Sequence, residues 1–391
     1  MTLATRTFSD SDLKTMIEVR RDLHAHPELA FEEVRTSKLV ADRLKALGLD
    51  VRTGVGKTGV LATVQGAKAG KTVLLRADMD ALPIQEENDT PYRSQNAGKM
   101  HACGHDCHTS ILLGVSQALV AERNELTGAV RLCFQPAEEQ GGGAIAMIAD
   151  GAIEPKPDAA FGLHVWQDLA LGKVGVTPGP FMAAVDEFTV TVTGKGAHAA
   201  QPDNGIDPVV CLANMVGALQ TIASRHTSPL KEVVVSVTQL RAGSAFNIIP
   251  ETAMMNGTCR VFDQEVWKTL PEHFERIVRG VANAYGCKAE IEYQRFNHPT
   301  INDLEMAKLA HAVAAEVVGE ENVVTDIRTM GGEDFSSFLE QVPGCFLAIG
   351  SRNEAKGLTY GHHHPRFDVD EQSIGIGAEI LHRIARRFLE S

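Results

Sequence analysis

Apolar positions in the first part of the chain alternate between two periods. Residues 13–23 and 33–47 carry the three-and-four spacing of amphipathic helices, the second stopped by Gly48. Between and after them lie short apolar runs that end in polar residues: Val73-Leu74-Leu75 within 71–77, then 129–134 and 159–163. Residues 109–121 read as a strongly apolar helix and 144–149 as a short one. Strands alternating with helices predict an α/β layer with a mostly parallel sheet.

The middle of the chain has another rhythm. Residues 187–192 alternate as a strand, and 207–224 form a helix opened by Asp207-Pro208. Strands at 233–240 and 252–262 follow, then a helix at 265–285 stopped by Gly286, then a strand at 289–296. That β-α-β-β-α-β order is the ferredoxin-like pattern. A helix at 303–318, a strand at 344–350 and an amphipathic helix at 371–389 restore the first pattern. The predicted architecture is an α/β catalytic domain in two segments, residues 1–184 and 299–391. A ferredoxin-like domain, residues 185–298, is inserted between them.

Composition narrows the possibilities. A chain of 391 residues is long for one domain, which agrees with the division. Aromatic residues are only 5%, so the cores must be filled mainly by Ala, Val, Leu and Ile. A net charge of -13 argues against nucleic acid and anionic membranes as partners. The seven cysteines are odd in number and irregular in spacing, unlike a secreted disulfide framework, and fit a cytoplasmic protein. Residues 1–12 show no signal-like apolar run, and no stretch approaches the roughly 18 apolar residues of a membrane span.

Polar clusters punctuate the α/β pattern. Asp78-Met79-Asp80, Cys103-Gly104-His105-Asp106, Glu138-Glu139 and His164 fall at the carboxyl ends of predicted strands or in loops just beyond; His362-His363-His364-Pro365 follows the 344–350 strand. Ligands of open α/β sheets bind outside those ends, so clusters distant in sequence can meet there. Thiol, imidazole and carboxylate together suit Zn, Mn, Co, Ni or Fe. So many candidate ligands exceed the needs of one ion and fit a pair about 3.5–4 Å apart. Each piece has a plainer reading: a structural Cys-x-His turn, a solvated Glu-Glu face, a surface His triplet that scavenges metal, a core histidine at 164. Their joint placement at successive strand ends favours the metal site. Gly104 lets the backbone bend so that Cys103 and His105 face one centre. The glycines at 141–143 permit a tight entry into the next helix; a phosphate cradle is the alternative, weakened because no Lys-Ser/Thr follows.

Several stretches carry a resemblance. They include Arg76-Ala77-Asp78-Met79-Asp80-Ala81-Leu82-Pro83, Met100-His101-Ala102-Cys103-Gly104-His105-Asp106, Phe134-Gln135-Pro136-Ala137-Glu138-Glu139, Gly162-Leu163-His164, Gly194-Lys195-Gly196-Ala197-His198, Gly331-Gly332-Glu333-Asp334-Phe335 and His363-His364-Pro365. In order and over nearly the whole chain, they resemble the metal-dependent aminoacylase and carboxypeptidase family, in the branch of hippurate hydrolase and the plant auxin-conjugate hydrolases. The resemblance implies a dimetal-peptidase-like catalytic domain with a lid that also mediates dimerisation, hence a homodimer. It implies two divalent ions (Mn, Zn, Co or Ni) held by Cys103, His105, Glu139, His164 and His363. Glu138 would be the general base, and Asp80 the carboxylate that orients the metal shell. His198 would donate to the oxyanion, reaching the site of the partner subunit, and Asn247 and Arg260 would take the substrate carboxylate. The wider family often has His where this chain has Asp78, and Asp where it has His105; Cys103 is this branch's substitute.

The implied reaction is hydrolysis of the amide bond of an N-acyl amino acid. A bound metal lowers the pKa of water from about 15.7 to about 7. Glu138 would accept the proton as water attacks and return one to the leaving amine. A dimetal aminopeptidase or dipeptidase would use the same groups. A non-catalytic metal-binding protein on this fold is the other alternative, against which stand the base and all five ligands. His198 also reads as a loop histidine of the fold, and Asn247 and Arg260 as strand-edge or turn residues. His24, His26 and Glu28 are expected to tie the first helix to the core. His101 and His108 are expected to support the ligand pair, and Cys107 to be a buried helix residue. Asp334 has no assigned role.

Overall fold

The computed structural model describes residues 7–391. The first six residues, part of the start that lacks a signal-like run, lie outside the described residues. The chain forms two compact units. One takes the residues up to Gly179, then Ile301–Arg328 and Asp334–Ser391. The other takes Pro180–Thr300 and a short return, Thr329–Glu333, whose backbone meets Ala183: the Ala183 N–H donates to the carbonyls of Thr329 and Gly331.

Among the described residues, the sheet of the first unit has eight strands. Their order is Val51–Val55, Gly59–Gln65, Thr127–Gln135, Lys68–Asp78, Ala159–Ala170, Gly344–Arg352, Val174–Gly175 and Val323–Val324. The central four, from Thr127–Gln135 to Gly344–Arg352, are parallel. The chain leaves Lys68–Asp78 for the neighbour on one side, Thr127–Gln135, and then crosses to the neighbour on the other, Ala159–Ala170. Strand order therefore reverses between Lys68–Asp78 and Ala159–Ala170, the place where open α/β sheets form a ligand crevice.

Alternation along the Lys68–Asp78 strand separates two environments. Val73, Leu75 and Ala77 enter the large core, which the helices His105–Ala121 and Gln372–Glu390 fill with Ile111, Leu119, Ile380, Ile384 and Phe388. Arg76 and Asp78 take the alternate positions, buried and ion-paired to each other at 2.6 Å.

Two elements differ from the sequence pattern. The predicted helix at 109–121 begins at His105, because Gly104 turns the chain and its carbonyl receives the N–H groups of Cys107 and His108. In pattern alone, the polar run from His105 to His108 reads as loop. The predicted strand at 159–163 continues to Ala170, because Gly344–Arg352 pairs with it through Ala170. His164 therefore lies inside a strand rather than at its end. Two strands toward one side of the sheet, Val51–Val55 and Gly59–Gln65, lie outside the expected elements; their antiparallel pairing is irregular between Thr53 and Val55.

The second unit has an antiparallel sheet in the order Val233–Ala242, Thr252–Val261, Ala184–Thr193, Lys288–Asn297. With the helices Pro208–Leu219 and Gln264–Ala284 this is the βαββαβ order. Phe188, Val190 and Val192 pack with Leu212, Met215, Leu270 and Phe274. Asp186, on the same buried face, receives Trp267 Nε1–H at 3.0 Å and the Tyr293 hydroxyl at 2.7 Å.

A buried ionic knot fixes the first helix, Asp10–Ala25, in the first unit. Arg20 is fully buried and donates to Asp106 at 2.8 Å, Asp368 at 2.7 Å and Glu371 at 3.3 Å. His24 adds a 2.8 Å contact to Asp106 and one of 3.3 Å to Glu86. Burial alone would raise Asp106, but Arg20 and His24 outweigh it and hold it well below the carboxylate range. Glu28 accepts the backbone N–H groups of Arg35 and Thr36, which anchors the second helix, Val34–Ala46. Arg20→Met should leave two buried carboxylates without their cation and cost about 3–5 kcal/mol. Urea unfolding measures this, and a loss below about 1 kcal/mol would refute the role of the knot.

Candidate metal centre

The crevice at the strand reversal collects donor atoms from four separate segments. Cys103 precedes the His105–Ala121 helix, whose first residue is His105. Gly104 between them has φ +93°, a conformation that side-chain-bearing residues rarely adopt. A Cβ there would also lie 2.3 Å from Val165 Cγ2. Cys103 Sγ stands 3.4 Å from His164 Nε2, and Glu139 Oε1 stands 3.9 Å from His105 Nε2 and 3.3 Å from His363 Nε2. Three overlapping trios, Cys103–His105–His164, Cys103–Glu139–His363 and His105–Glu138–Glu139, each hold donor atoms within 4.8 Å of one another.

Carboxylates behind the cluster set its orientation. Asp80 Oδ1 lies 3.2 Å from His105 Nδ1 and accepts the Glu138 N–H at 3.0 Å, while Oδ2 accepts the Glu139 N–H at 3.0 Å. With Nδ1–H donated to Asp80, the lone pair of His105 is on Nε2, facing the crevice. His164 Nδ1 donates to the Val165 carbonyl at 2.6 Å, which likewise turns its Nε2 toward Cys103. The turn before the Glu pair places Ala137 at φ +51°, and Glu33 accepts the Ala137 N–H at 2.9 Å. Asp334 accepts from Arg76 at 2.8 Å, Gln135 Nε2 at 2.7 Å and the Ala144 N–H at 2.9 Å, clamping both ends of the same loop. His363 has φ +64°, and its N–H bonds the Ala102 carbonyl at 2.8 Å. Left-handed backbone at non-glycine residues costs about 1–3 kcal/mol and is maintained by surroundings such as these.

The electrostatics call for a cation. Burial would lower His105, yet Asp78, Asp80 and Glu139 push it up to about 10. Burial, then the carboxylates of Glu139, Glu138 and Asp78, hold the Cys103 thiol well above its ordinary value, so it ionises only with a positive partner. His164 is depressed well below its ordinary value by burial and by His108 and His362. Among the described residues His105 Nε2 is buried with no hydrogen-bond partner, and the buried Glu139 Oε1 beside it faces the His363 ring at 3.3 Å. Together with the Cys103 thiol, these imidazole and carboxylate donors match the ligand set of a transition metal. The residues present fit such ions.

The sequence-predicted residues separate into two groups. Cys103, His105, Glu138, Glu139, His164, His363 and Asp80 come together in the first unit. His198, Asn247 and Arg260 belong to the second. There His198 pairs with Ile248 in a two-stranded ribbon, exposed, and Asn247 accepts the Ala199 N–H at 3.0 Å. Arg260 is half-buried on the Thr252–Val261 strand, beside Asp186. The sequence assigns no role to the positioning groups Arg76, Glu33 and Asp334. His362 enters the sequence reading only within the 362–365 cluster; in the structure its Nε2 accepts the Gln167 N–H at 3.2 Å. A charged Arg76 between apolar strand residues is the one available signal.

A crevice at a sheet reversal, lined with a thiol, imidazoles and paired carboxylates, defines a metal-dependent hydrolase. Residues 74–387 match Peptidase family M20/M25/M40, and the chain belongs to that family. It is 40% identical over 378 residues to the N-acetyl-L-cysteine deacetylase of Bacillus subtilis, covering 97% of this chain and 89% of that protein. It is 39% identical over 378 residues to IAA-amino acid hydrolase ILR1-like 4 of Arabidopsis thaliana, covering 96% and 86%. The crystal structure of a dinuclear metal binding peptidase from the M20 family of Bacillus subtilis superposes with a TM-score of 0.86 at 36% identity, covering 98% of this chain and 99% of that one.

Gly104→Ala should destabilise the protein by about 2 kcal/mol or more, through overlap with Val165 and through its left-handed backbone. Adding Val165→Ala should relieve only the overlap. Melting curves of both single variants and the double variant separate the two contributions; a double variant as stable as Val165→Ala alone would show that the backbone conformation costs nothing.

Proposed function

We propose that this chain hydrolyses the amide bond of N-acyl amino acids, releasing a carboxylic acid and a free amino acid. The observation that carries the reading is the buried, unpartnered His105 Nε2 beside Glu139 Oε1, inside a thiol–imidazole–carboxylate cluster with Glu138 on the same turn. Cys103, His105, Glu139, His164 and His363 would hold two divalent ions, drawn from Mn, Zn, Co and Ni. When bound, such ions polarise a carbonyl and lower the pKa of water. The relatives named for N-acetyl-L-cysteine deacetylation and for IAA-amino acid hydrolysis support an acylated amino acid as the substrate class.

The chain's own groups have distinct tasks. Glu138 takes the proton of the attacking water on its carboxylate and passes one to the leaving nitrogen. Asp80 fixes the Glu138 backbone and the His105 ring, so base and ligand keep their spacing. His198 donates to the oxyanion, and Asn247 and Arg260 bind the amino acid carboxylate, for which a guanidinium is well shaped. The protein works as a homodimer in the cytoplasm. All seven cysteines are free, which supports a reducing compartment, and among the described residues no helix is long and apolar enough to cross a membrane.

Glu138→Gln should lower kcat by about 10²–10⁴-fold with metal content unchanged by elemental analysis. Turnover within about tenfold of wild type would remove Glu138 as the base. Given an N-acetyl or N-benzoyl amino acid and the matching dipeptide, the metal-loaded protein should show the larger kcat/KM on the acylated compound. The reverse order would make it a dipeptidase.

A further inference from the structure

The two strands that bound the crevice stay paired only as far as Arg76 and Gly162. Past that point the Ala159–Ala170 strand runs on without its neighbour, and its inward N–H groups need acceptors. The Val165 N–H donates to His108 Nε2 at 2.9 Å. A backbone N–H can only donate, so Nε2 is the acceptor and the ring proton is on Nδ1. That Nδ1 lies 2.6 Å from Asp78 Oδ1, whose other oxygen receives Arg76. His108 is 1% exposed and stands one turn beyond His105 on the same helix. It thus spans the gap between the end of the Lys68–Asp78 strand and the strand segment that carries His164. Its neighbour Thr109 binds the Asp78 carbonyl at 2.8 Å, which fixes the helix to the same point.

We propose that His108 is a positioning residue: a neutral imidazole strut between Asp78 and the Val165 N–H that sets the separation of the His105 and His164 ligand atoms. This rests on the metal-centre reading of the cluster. With both ring nitrogens engaged, the strut has no lone pair left for a metal. It acts by holding one ligand-bearing helix against one ligand-bearing strand across a break in the sheet. Both of its hydrogen bonds are required: the Asp78 bond holds the ring proton on Nδ1, and only then is Nε2 free to accept the Val165 N–H. Groups that orient metal ligands typically change affinity by about 10–100-fold when removed.

The test uses the full-length protein and cobalt(II) as the probe. His108→Asn keeps a donor near the Nδ1 position and loses the acceptor. His108→Gln keeps an acceptor near the Nε2 position and loses the donor. Cobalt affinity is measured by chelator competition, the cobalt absorption spectrum between the thiolate charge-transfer and ligand-field bands is recorded, and metal-free melting temperatures are compared. The expected result is an about 10–100-fold weaker cobalt affinity and a shifted spectrum in both variants, with kcat reduced more than KM is raised. Variants that bind cobalt within about twofold of wild type with an unchanged spectrum would overturn the strut, even if they melt lower, because a purely structural histidine would do that. One variant retaining wild-type affinity and spectrum would overturn the requirement for both bonds. A wild-type protein that binds no cobalt would instead overturn the metal-centre reading itself. Should either variant fail to fold, the ring-nitrogen chemical shifts of histidine-labelled wild-type protein test the strut directly: a His108 ring protonated on Nδ1 alone is expected, and a proton on Nε2 would overturn it.

Discussion

The parting of two parallel strands is the constraint on which the site depends. Lys68–Asp78 and Ala159–Ala170 hold each other through Gly162 and then separate. Separation opens a space at the carboxyl edge of the sheet, and it exposes backbone N–H groups that a buried site cannot leave unmet. Histidines meet them. His108 takes Val165, and His362 takes Gln167 two residues on, at the position the strand's period predicts for the same side. The imidazoles that finish the sheet are thus immediate neighbours of those that face the crevice.

Negative charge is the second organising theme. Four carboxylates, Asp78, Asp80, Glu138 and Glu139, are at least largely buried within one small volume. Arg76 neutralises part of this from behind, through Asp78 and Asp334. The front is left to histidines and to the cations proposed for the centre. The same arrangement explains the strained turns. Ala137 and His363 hold left-handed backbone because Glu33 on one side and the Ala102 carbonyl on the other make the alternative conformations lose hydrogen bonds.

Much of this is legible in the sequence. Apolar periodicity locates the central strands and the long helices, because burial on one face imposes that spacing directly. The candidate ligands are legible because their chemical types are rare in combination and they recur near successive strand ends of the predicted pattern. The boundaries near the site are not. The helix at His105 begins inside a polar run, and the strand of His164 continues past the residue that looks like its end, because partners distant in sequence satisfy those segments. The pattern marks Arg76, Asp334 and His362 without revealing what they do, and it passes over Glu33, for the same reason. Each acts through hydrogen bonds or ion pairs to a remote segment, and nothing in local pattern records such a partner.

The large core is finished by its last helix, Gln372–Glu390, whose Ile380, Ile384 and Phe388 pack with strand residues from far earlier in the chain, such as Val73 and Leu75. The second unit, by contrast, is nearly continuous in the chain, from Pro180 to Thr300. During synthesis the inner unit therefore emerges with almost all its contacts available, while the outer one must wait for the ribosome to deliver its final segment. Until then the first six strands of the eight-stranded sheet lack the last helix that covers them, and apolar surface such as that of Val73 and Leu75 stays open.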